Sequence, residues 1–227
     1  MISRLREVSS VTSIQDALAG CEWRGYQPLY MPELADVRVA TDYDIFTWGR
    51  PVISLSSCIT GRSKAGNKVV VYAHIPTYLC DSDNLKEGQK TVFVDGSGIV
   101  GAVIVPSDEF YRLLDLEDNK GVFVVDYETL SKARHGAIRA SKALEHPQTI
   151  PFFGGRDRAE AYLAKHAKMC EYSQRNRGFI EILFPRDIAG VPLGHLLAIG
   201  NFHTFYEFTG SLVSDLNMEY THEAGFI

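Results

Sequence analysis

Two stretches rich in β-branched residues decide the fold, VISLSS at Val52–Ser57 and KVVVYAHIP at Lys68–Pro76. Branching at Cβ favours extended backbone and the pleated surface of a sheet, so both stretches are predicted to be strands. The segment Gly61–Asn67 between them is polar and contains two glycines, as expected of a hairpin loop. The sequence therefore predicts a β-hairpin at this point of the chain.

Strands and helices alternate along the rest of the sequence. Further strands are predicted at Gly121–Tyr127, Arg177–Phe184 and Leu193–Ile199. Helices are predicted at Ser13–Gly20, Asp108–Glu117, Thr129–Leu144 and Arg156–Cys170, from capping residues and apolar spacing. Strands in both halves with helices between them favour an α+β fold, with a mixed or antiparallel sheet core and several short flanking helices. No repeat or linker divides the chain, so residues 1–227 are predicted to form one domain.

Composition excludes several classes of protein. The chain has 227 residues, of which 45% are hydrophobic and 22% charged, unlike a disordered, collagen-like or disulfide-stapled chain. The N-terminus lacks a signal-peptide core, and the longest apolar run is too short to cross a bilayer, so we expect a soluble cytoplasmic protein. The four cysteines form no C-x-x-C pair and are expected to be reduced, and no metal site is predicted.

Charge is distributed unevenly along the chain. Residues 129–186 carry 11 basic and 5 acidic side chains, a net charge of +6, whereas the whole chain has a net charge of −5. A basic block can attract phosphates of a nucleic acid or a dinucleotide. The alternative is that most of these side chains line solvated helix faces.

The segment Gly96–Gly101 matches the pattern G-x-G-x-x-G of dinucleotide-binding folds. That site requires a helix to begin at the glycines. Here the following residues are β-formers up to Pro106, and Asp95-Gly96 is a turn signal. We therefore predict a hairpin over residues 91–105 that turns at Asp95–Gly98.

Three short segments supply the candidate site residues. Glu181 lies in a predicted strand between apolar neighbours, where a carboxylate is costly unless it is paired or borders a cleft. In a cleft it could stabilise an oxocarbenium-like centre. Arg50 follows Trp48 in an aromatic loop before the first strand, a position from which a guanidinium can clamp a phosphate. Phe152 and Phe153 precede a glycine pair and a helix N-terminus, whose N–H groups suit an anion.

Each segment also has a purely structural interpretation. Glu181 could be salt-bridged or lie on an edge strand. Arg50 could be a structural arginine stacked on Trp48. The Phe152–Gly155 segment could be no more than a tight entry into a helix.

Together, the helix at Ser13–Gly20, the loop Phe46–Pro51, the segment Phe152–Gly155 and the stretch Gln174–Phe184 resemble an ADP-ribosyltransferase core. The resemblance is nearest to the DNA ADP-ribosylating toxins of the DarT type. It implies NAD as substrate, no metal, transfer of ADP-ribose to a nucleic acid or protein acceptor, and no membrane.

The resemblance also implies roles for individual residues. Glu181 would be catalytic. The residues that would bind NAD are Arg50, which would contact its phosphates, and Trp48, Ser56, Phe152 and Phe153. A rival alignment with the R-S-E type of transferase takes Arg24, Ser56 and Glu181. The N-terminal His-x-Thr of the first family has no His in this sequence. The E-x-E of the second family is also absent, since residue 179 is Phe.

A second hypothesis comes from a different functional class. In it the protein is a non-catalytic binding or assembly module, for example a regulatory or virion-associated protein, and residues 129–186 contact its partner. The two missing motifs favour this alternative.

Overall fold

The computed structural model describes residues 18, 20, 21, 23, 25–41, 48, 52–88, 92–94, 97–99, 102–117, 121–134, 136–173, 179–183, 190–200 and 210–213. Its strands are β1 (Val52–Arg62), β2 (Lys68–Ala73), β3 (Val92–Val94), β4 (Ser97–Ile99), β5 (Val103–Ile104), β6 (Val122–Asp126), β7 (Gly136–Arg139), β8 (Phe179–Leu183), β9 (Leu193–Gly200) and β10 (Gly210–Val213). Its α-helices are α1 (Met31–Ala40), α2 (Ser82–Gly88), α3 (Ser107–Leu114), α4 (Tyr127–Lys132), α5 (Ala140–Ala143), α6 (Thr149–Phe153) and α7 (Arg156–Ser173).

One mixed sheet organises these elements. Its strand order is β6-β2-β1-β9-β10-β8-β7, and β5 adds to β9, which makes eight strands among the described residues. The pair β10–β8 is parallel and the other pairs are antiparallel. The predicted α+β class with a mixed sheet and short flanking helices is confirmed.

The sheet buries apolar side chains on both faces. In β2, Val69, Val71 and Ala73 join a core cluster that includes Phe110 of α3. The alternate residues Val70 and Tyr72 join a second cluster on the other face, packed against α1, α6 and α7. Because side chains alternate along a strand, a run of apolar residues is the pattern of a strand covered on both sides.

The β1–β9 ladder is interrupted by a bulge that positions Ser56. The register runs from Ile53 opposite Ala198 to Ser57 opposite Leu196, so β1 spans more residues than its partner. The Ser54 hydroxyl satisfies the irregular backbone, since it accepts from the N–H of Ser56 at 3.2 Å and donates to the carbonyl of Leu197 at 3.1 Å. Bulges re-aim side chains in this way.

The helix predicted over Thr129–Leu144 is wrong. Helix α4 ends at Lys132, and the chain then forms β7 before it turns into α5. Gly136 has a φ of +93°, which glycine adopts at no steric cost and which interrupts a right-handed helix. Pairing of β7 with the distant β8 outweighs the local helical spacing, because tertiary contacts override weak intrinsic propensity.

The predicted hairpin is confirmed as an antiparallel pair of strands, β3 and β4. Val92 pairs with Ile99, and Val94 pairs with Ser97, so Ser97 and Gly98, which were predicted to lie in the turn, belong to strand β4. The glycine-rich segment therefore continues as strand β4 and does not begin a helix, as the rejection of a dinucleotide fold requires. Residues 103 and 104 leave the hairpin and pair with β9.

Candidate binding cleft

The aromatic residues predicted to bind NAD lie together in the core. Trp48 stacks on Tyr162 with ring centroids 5.2 Å apart, and Phe153 packs on Tyr162 at 4.7 Å. Phe152 contacts Phe153 edge to face at 5.2 Å. Both phenylalanines are fully buried and Trp48 is 6% exposed. These rings form part of the core cluster behind the sheet.

The arginine beside Trp48 in the described structure is Arg38. Its guanidinium carbon lies 5.8 Å from the Trp48 ring centroid. It donates to the hydroxyl of Tyr162 at 3.1 Å and to the carbonyl of Ile199 at 3.3 Å. Arg38 is 1% exposed, so these contacts solvate a buried charge and fasten α1 to the sheet. Sequence reasoning did not identify this residue, which lies in a helix that it did not predict.

Ser56 takes part in a buried hydrogen-bond chain with His74. The His74 Nε2 atom lies 2.8 Å from the carbonyl of Pro151, which can only accept, so Nε2 carries the proton. Nδ1 therefore accepts from the Ser56 hydroxyl at 2.8 Å, and that oxygen accepts from the N–H of Met31 at 2.7 Å. The chain ties together the start of α1, strand β1, the end of β2 and α6.

The protonation of His74 agrees with this chain. The pKa of His74 is lowered to about 4, chiefly by burial. The hydrogen bond that the ring donates to the Pro151 carbonyl opposes this shift, and the charge of Arg158 adds to it. A neutral histidine bonded to a serine hydroxyl is also the arrangement of an activated nucleophile. Ser56 is 0% exposed, so the pair holds the fold together and presents no nucleophile to solvent.

The sequence predicted that Glu181 is catalytic and that Arg50 contacts the phosphates of NAD. Glu181 lies in β8, opposite Ala137 of β7 and Ser211 of β10. Arg50 and Arg24 lie outside the described residues. Strand β1, which follows Arg50, and strand β8 are separated in the sheet by β9 and β10. Strands β1 and β8 are therefore not neighbours, and three strand spacings place them about 14 Å apart.

The described structure contains an open cleft of about 700 Å³ within the basic region. Its lining comes from the end of α4, strand β7, helix α5 and the turn after it. The lining residues are Ala133, Arg134, Ile138, Arg139, Lys142, Glu145, His146 and Pro147.

Three cations give the cleft its electrostatic character. Arg134, Arg139 and Lys142 are exposed, and Glu145 is the single carboxylate of the lining. Lys142 Nζ lies 3.8 Å from Glu145 Oε1, and both side chains are about two thirds exposed or more, at 68% and 73%. Ile138 is 7% exposed and provides an apolar base. Such a surface attracts a negatively charged group and offers it guanidinium donors.

The sequence contained part of the signal for this cleft. Arg134, Arg139 and Lys142 belong to the block that carries a net charge of +6. Ile138 and Pro147 were missed as lining residues, because the expected helix over Thr129–Leu144 left no strand there. The break of the chain into α4, β7 and α5 creates the cleft.

Among the residues that the structure describes, no group of three or more His, Cys, Asp or Glu side chains could hold a metal ion. No helix in the same part of the chain is both long and apolar enough to pass through a bilayer.

Comparison with solved structures gives a match over the whole chain. The matching structure is described as "Accommodation of massive sequence variation in Nanoarchaeota by the C-type lectin fold". It is 34% identical, the TM-score is 0.77, and the match covers 100% of this chain and 96% of that chain. No family model and no curated protein matches the sequence.

This match overturns the expectation of an ADP-ribosyltransferase. The similar structure has a C-type lectin fold, so the inferred relationship to DarT-type enzymes and the inferred NAD-dependent transfer of ADP-ribose are wrong. The motifs that carried the resemblance are short, and those described here serve the core. Binding of NAD itself is not tested and stays a prediction, as do the site roles of Arg50, Trp48, Ser56, Phe152, Phe153 and Glu181.

Proposed function

The chain belongs to the C-type lectin fold family, and from this premise we propose that it is a non-catalytic binding module whose residues 129–186 contact an acidic partner. The observation that carries the proposal is the cleft of about 700 Å³ lined by Arg134, Arg139 and Lys142. Ligand sites are typically concave and combine an apolar base with a few polar groups that fix orientation. The Ile138 base and the three cations have this composition.

The charge of the rest of the chain supports a local site. The whole chain has a net charge of −5, while residues 129–186 have a net charge of +6. A polyanion is therefore attracted to this region and repelled elsewhere, which steers an acidic partner to the cleft. A DNA strand and an acidic protein segment are both candidates for that partner.

The fold itself supports a binding role. In the similar structure, the C-type lectin fold accommodates massive sequence variation. We propose that this chain combines a fixed scaffold with a surface whose residues can vary. The apolar clusters of the sheet are the scaffold, whereas Arg134, Arg139 and Lys142 are exposed and contribute little to the core. Their replacement should change recognition and leave stability nearly unchanged.

We also propose that the protein works in the cytoplasm. Cys21, Cys58 and Cys80 are thiols, as expected in a reducing compartment.

Binding to two defined anions tests the function. Fluorescence anisotropy is measured with a labelled oligoglutamate peptide and a labelled oligothymidylate of equal charge. The variant Arg134→Gln/Lys142→Gln removes two cleft cations, and Arg62→Gln/Lys64→Gln removes two exposed cations from the β1–β2 hairpin as the matched control. We expect at least one probe to bind, more weakly at high salt, and to lose about 3- to 10-fold in affinity in the cleft variant only.

Two results would contradict the proposal. If neither probe binds, or if both variants weaken binding equally, the cleft is not the binding surface. If the protein releases nicotinamide from NAD at a rate above the buffer blank, it is not a non-catalytic module.

A further inference from the structure

We propose that the partner is an acidic peptide segment in extended conformation, which adds as a strand to the outer edge of β7 and places its carboxylates on Arg134, Arg139 and Lys142. This inference rests on the proposed function and names the partner of the same cleft. It joins two independent features, the basic lining and the terminal position of β7 in the sheet.

Strand β7 offers backbone groups for pairing. It ends the strand order of the sheet, and within the described residues its ladder is to β8 alone. In an antiparallel pair, alternate residues direct both N–H and C=O towards the partner, and the residues between them direct both groups away. About two of the residues from Gly136 to Arg139 therefore present donors and acceptors to a further strand, which would lie about 4.8 Å away.

The cleft borders this strand. Ile138 and Arg139 of β7 belong to its lining, Arg134 precedes the strand, and Lys142 follows it in α5. A strand paired with β7 would therefore run between cations contributed from both of its ends. Alternate side chains of the added strand project to one face, so acidic residues at every second position fit the site best.

The lining favours a peptide over a single-stranded nucleic acid. Proteins that bind single strands without base readout stack the bases on aromatic rings. The described lining contains no Phe, Tyr or Trp side chain, and His146 is only 6% exposed. A sheet edge pairs with the N–H and C=O groups of a polypeptide backbone, which a nucleic acid lacks.

The edge is also protected against promiscuous pairing. Strand β7 has 4 residues, and charged side chains lie in it and beside it, which are features that discourage self-association through an edge. A second copy of this chain would bring the same cations against each other. An acidic segment removes that repulsion, so charge selects the partner and backbone pairing holds it.

The test uses four labelled probes on the full chain. The first is a peptide in which glutamate alternates with valine and threonine. The second is the same peptide with backbone N-methyl groups on its odd-numbered residues, and the third carries them on its even-numbered residues. These methyl groups remove N–H donors and leave the charge unchanged. The fourth is an oligothymidylate of equal charge. Affinities are measured by anisotropy, and hydrogen exchange of the segment Gly136–Arg139 is followed with and without the first peptide.

We expect the unmodified peptide to bind. At least one N-methylated form should bind at least 10-fold more weakly, because the N–H groups of one alternating set of residues face β7. The peptide should slow hydrogen exchange within Gly136–Arg139. Arg134→Gln/Lys142→Gln should reduce its affinity by about 3- to 10-fold, and Arg62→Gln/Lys64→Gln should leave it unchanged.

The experiment distinguishes a failure of strand addition from a failure of the proposed function. Equal affinity of all three peptides, or unchanged exchange in Gly136–Arg139 at saturation, overturns strand addition and leaves the binding cleft in place. Binding of the oligothymidylate but not the peptide overturns the inference in favour of a nucleic acid partner. If no probe responds to the cleft variant, both the inference and the proposed function fail.

Discussion

Replacement of Ser56 by alanine tests the buried hydrogen-bond chain that holds the bulge of β1 against α1 and His74. The Ser56 hydroxyl accepts from the N–H of Met31 at 2.7 Å and donates to Nδ1 of His74 at 2.8 Å. Alanine fills nearly the same volume but can do neither. A backbone donor and an imidazole acceptor then remain in the interior without these partners, since Met31 is fully buried and His74 is 8% exposed.

The magnitude follows from those two groups. A buried polar group left without its partner costs about 1–3 kcal/mol. His74 cannot relieve the loss by moving its proton to Nδ1, because Nε2 would then face the Pro151 carbonyl without a hydrogen to donate. We therefore expect Ser56→Ala to lower the free energy of unfolding by about 2–4 kcal/mol, a large share of the stability of an ordinary domain.

Urea unfolding followed by circular dichroism measures this loss. Two serine variants provide a graded control. Ser57→Ala removes one bond to Thr77, whose hydroxyl still accepts from the N–H of Leu79, so about 1 kcal/mol is expected. Ser131→Ala removes an exposed bond to the Glu128 carbonyl and should cost less than about 0.5 kcal/mol. A loss for Ser56→Ala as small as that for Ser131→Ala would refute the assignment of the hydrogen-bond chain.

Three further predictions concern acid stability, a glycine and the thiols. Burial lowers the pKa of both His74 and His195 to about 4, so the unfolded chain binds more protons than the folded one between about pH 6.5 and pH 4. The free energy of unfolding should therefore fall as pH falls through that window, by up to about 3 kcal/mol for each histidine, and a flat urea midpoint between about pH 7 and pH 4.5 would contradict it. Gly154→Ala should lower the free energy of unfolding by more than about 2 kcal/mol, because φ is +71° and the added Cβ would lie 2.6 Å from Pro32 Cγ. Gly66→Ala, with φ +85° and nothing within 4 Å, should cost only about 1–2 kcal/mol, and equal losses in thermal or urea unfolding would show that the contact with Pro32 is unimportant. Thiol titration of the denatured protein without reductant should count four cysteines, and a count of two or none would overturn the cytoplasmic prediction.

The local sequence was sufficient to predict those elements whose conformation depends mainly on their own residues. The strands at Val52–Ser57 and Lys68–Pro76 were predicted from β-branched residues, and β1 and β2 begin at the same residues, although β1 continues to Arg62 and β2 ends at Ala73. The hairpin of β3 and β4 was predicted from a turn signal between two β-forming runs. The charge of residues 129–186 is also a property of the sequence and pointed to the region of the cleft.

The short motifs were ambiguous in the sequence because burial is not a local property. An aromatic loop before an arginine and a Phe-Phe pair before a helix are compatible with a ligand pocket and with a core. The sheet has helices on the face that holds Trp48, Phe152 and Phe153, and so these rings are enclosed. The sequence could not show this, because it depends on which helices pack on that face.

The break at Gly136 is the clearest case in which tertiary structure decided the outcome. The apolar spacing of Thr129–Leu144 is helical, yet the chain forms β7 there because β8, more than forty residues later, offers a ladder partner and apolar contacts for Ile138. The sequence by itself determined the β-forming runs, the turn signals and the basic charge of this region. Only the tertiary structure decided the order β1-β9-β10-β8-β7, the enclosure of the aromatic rings and the cleft along the last strand, because each depends on the free energy of contacts between residues far apart in the chain.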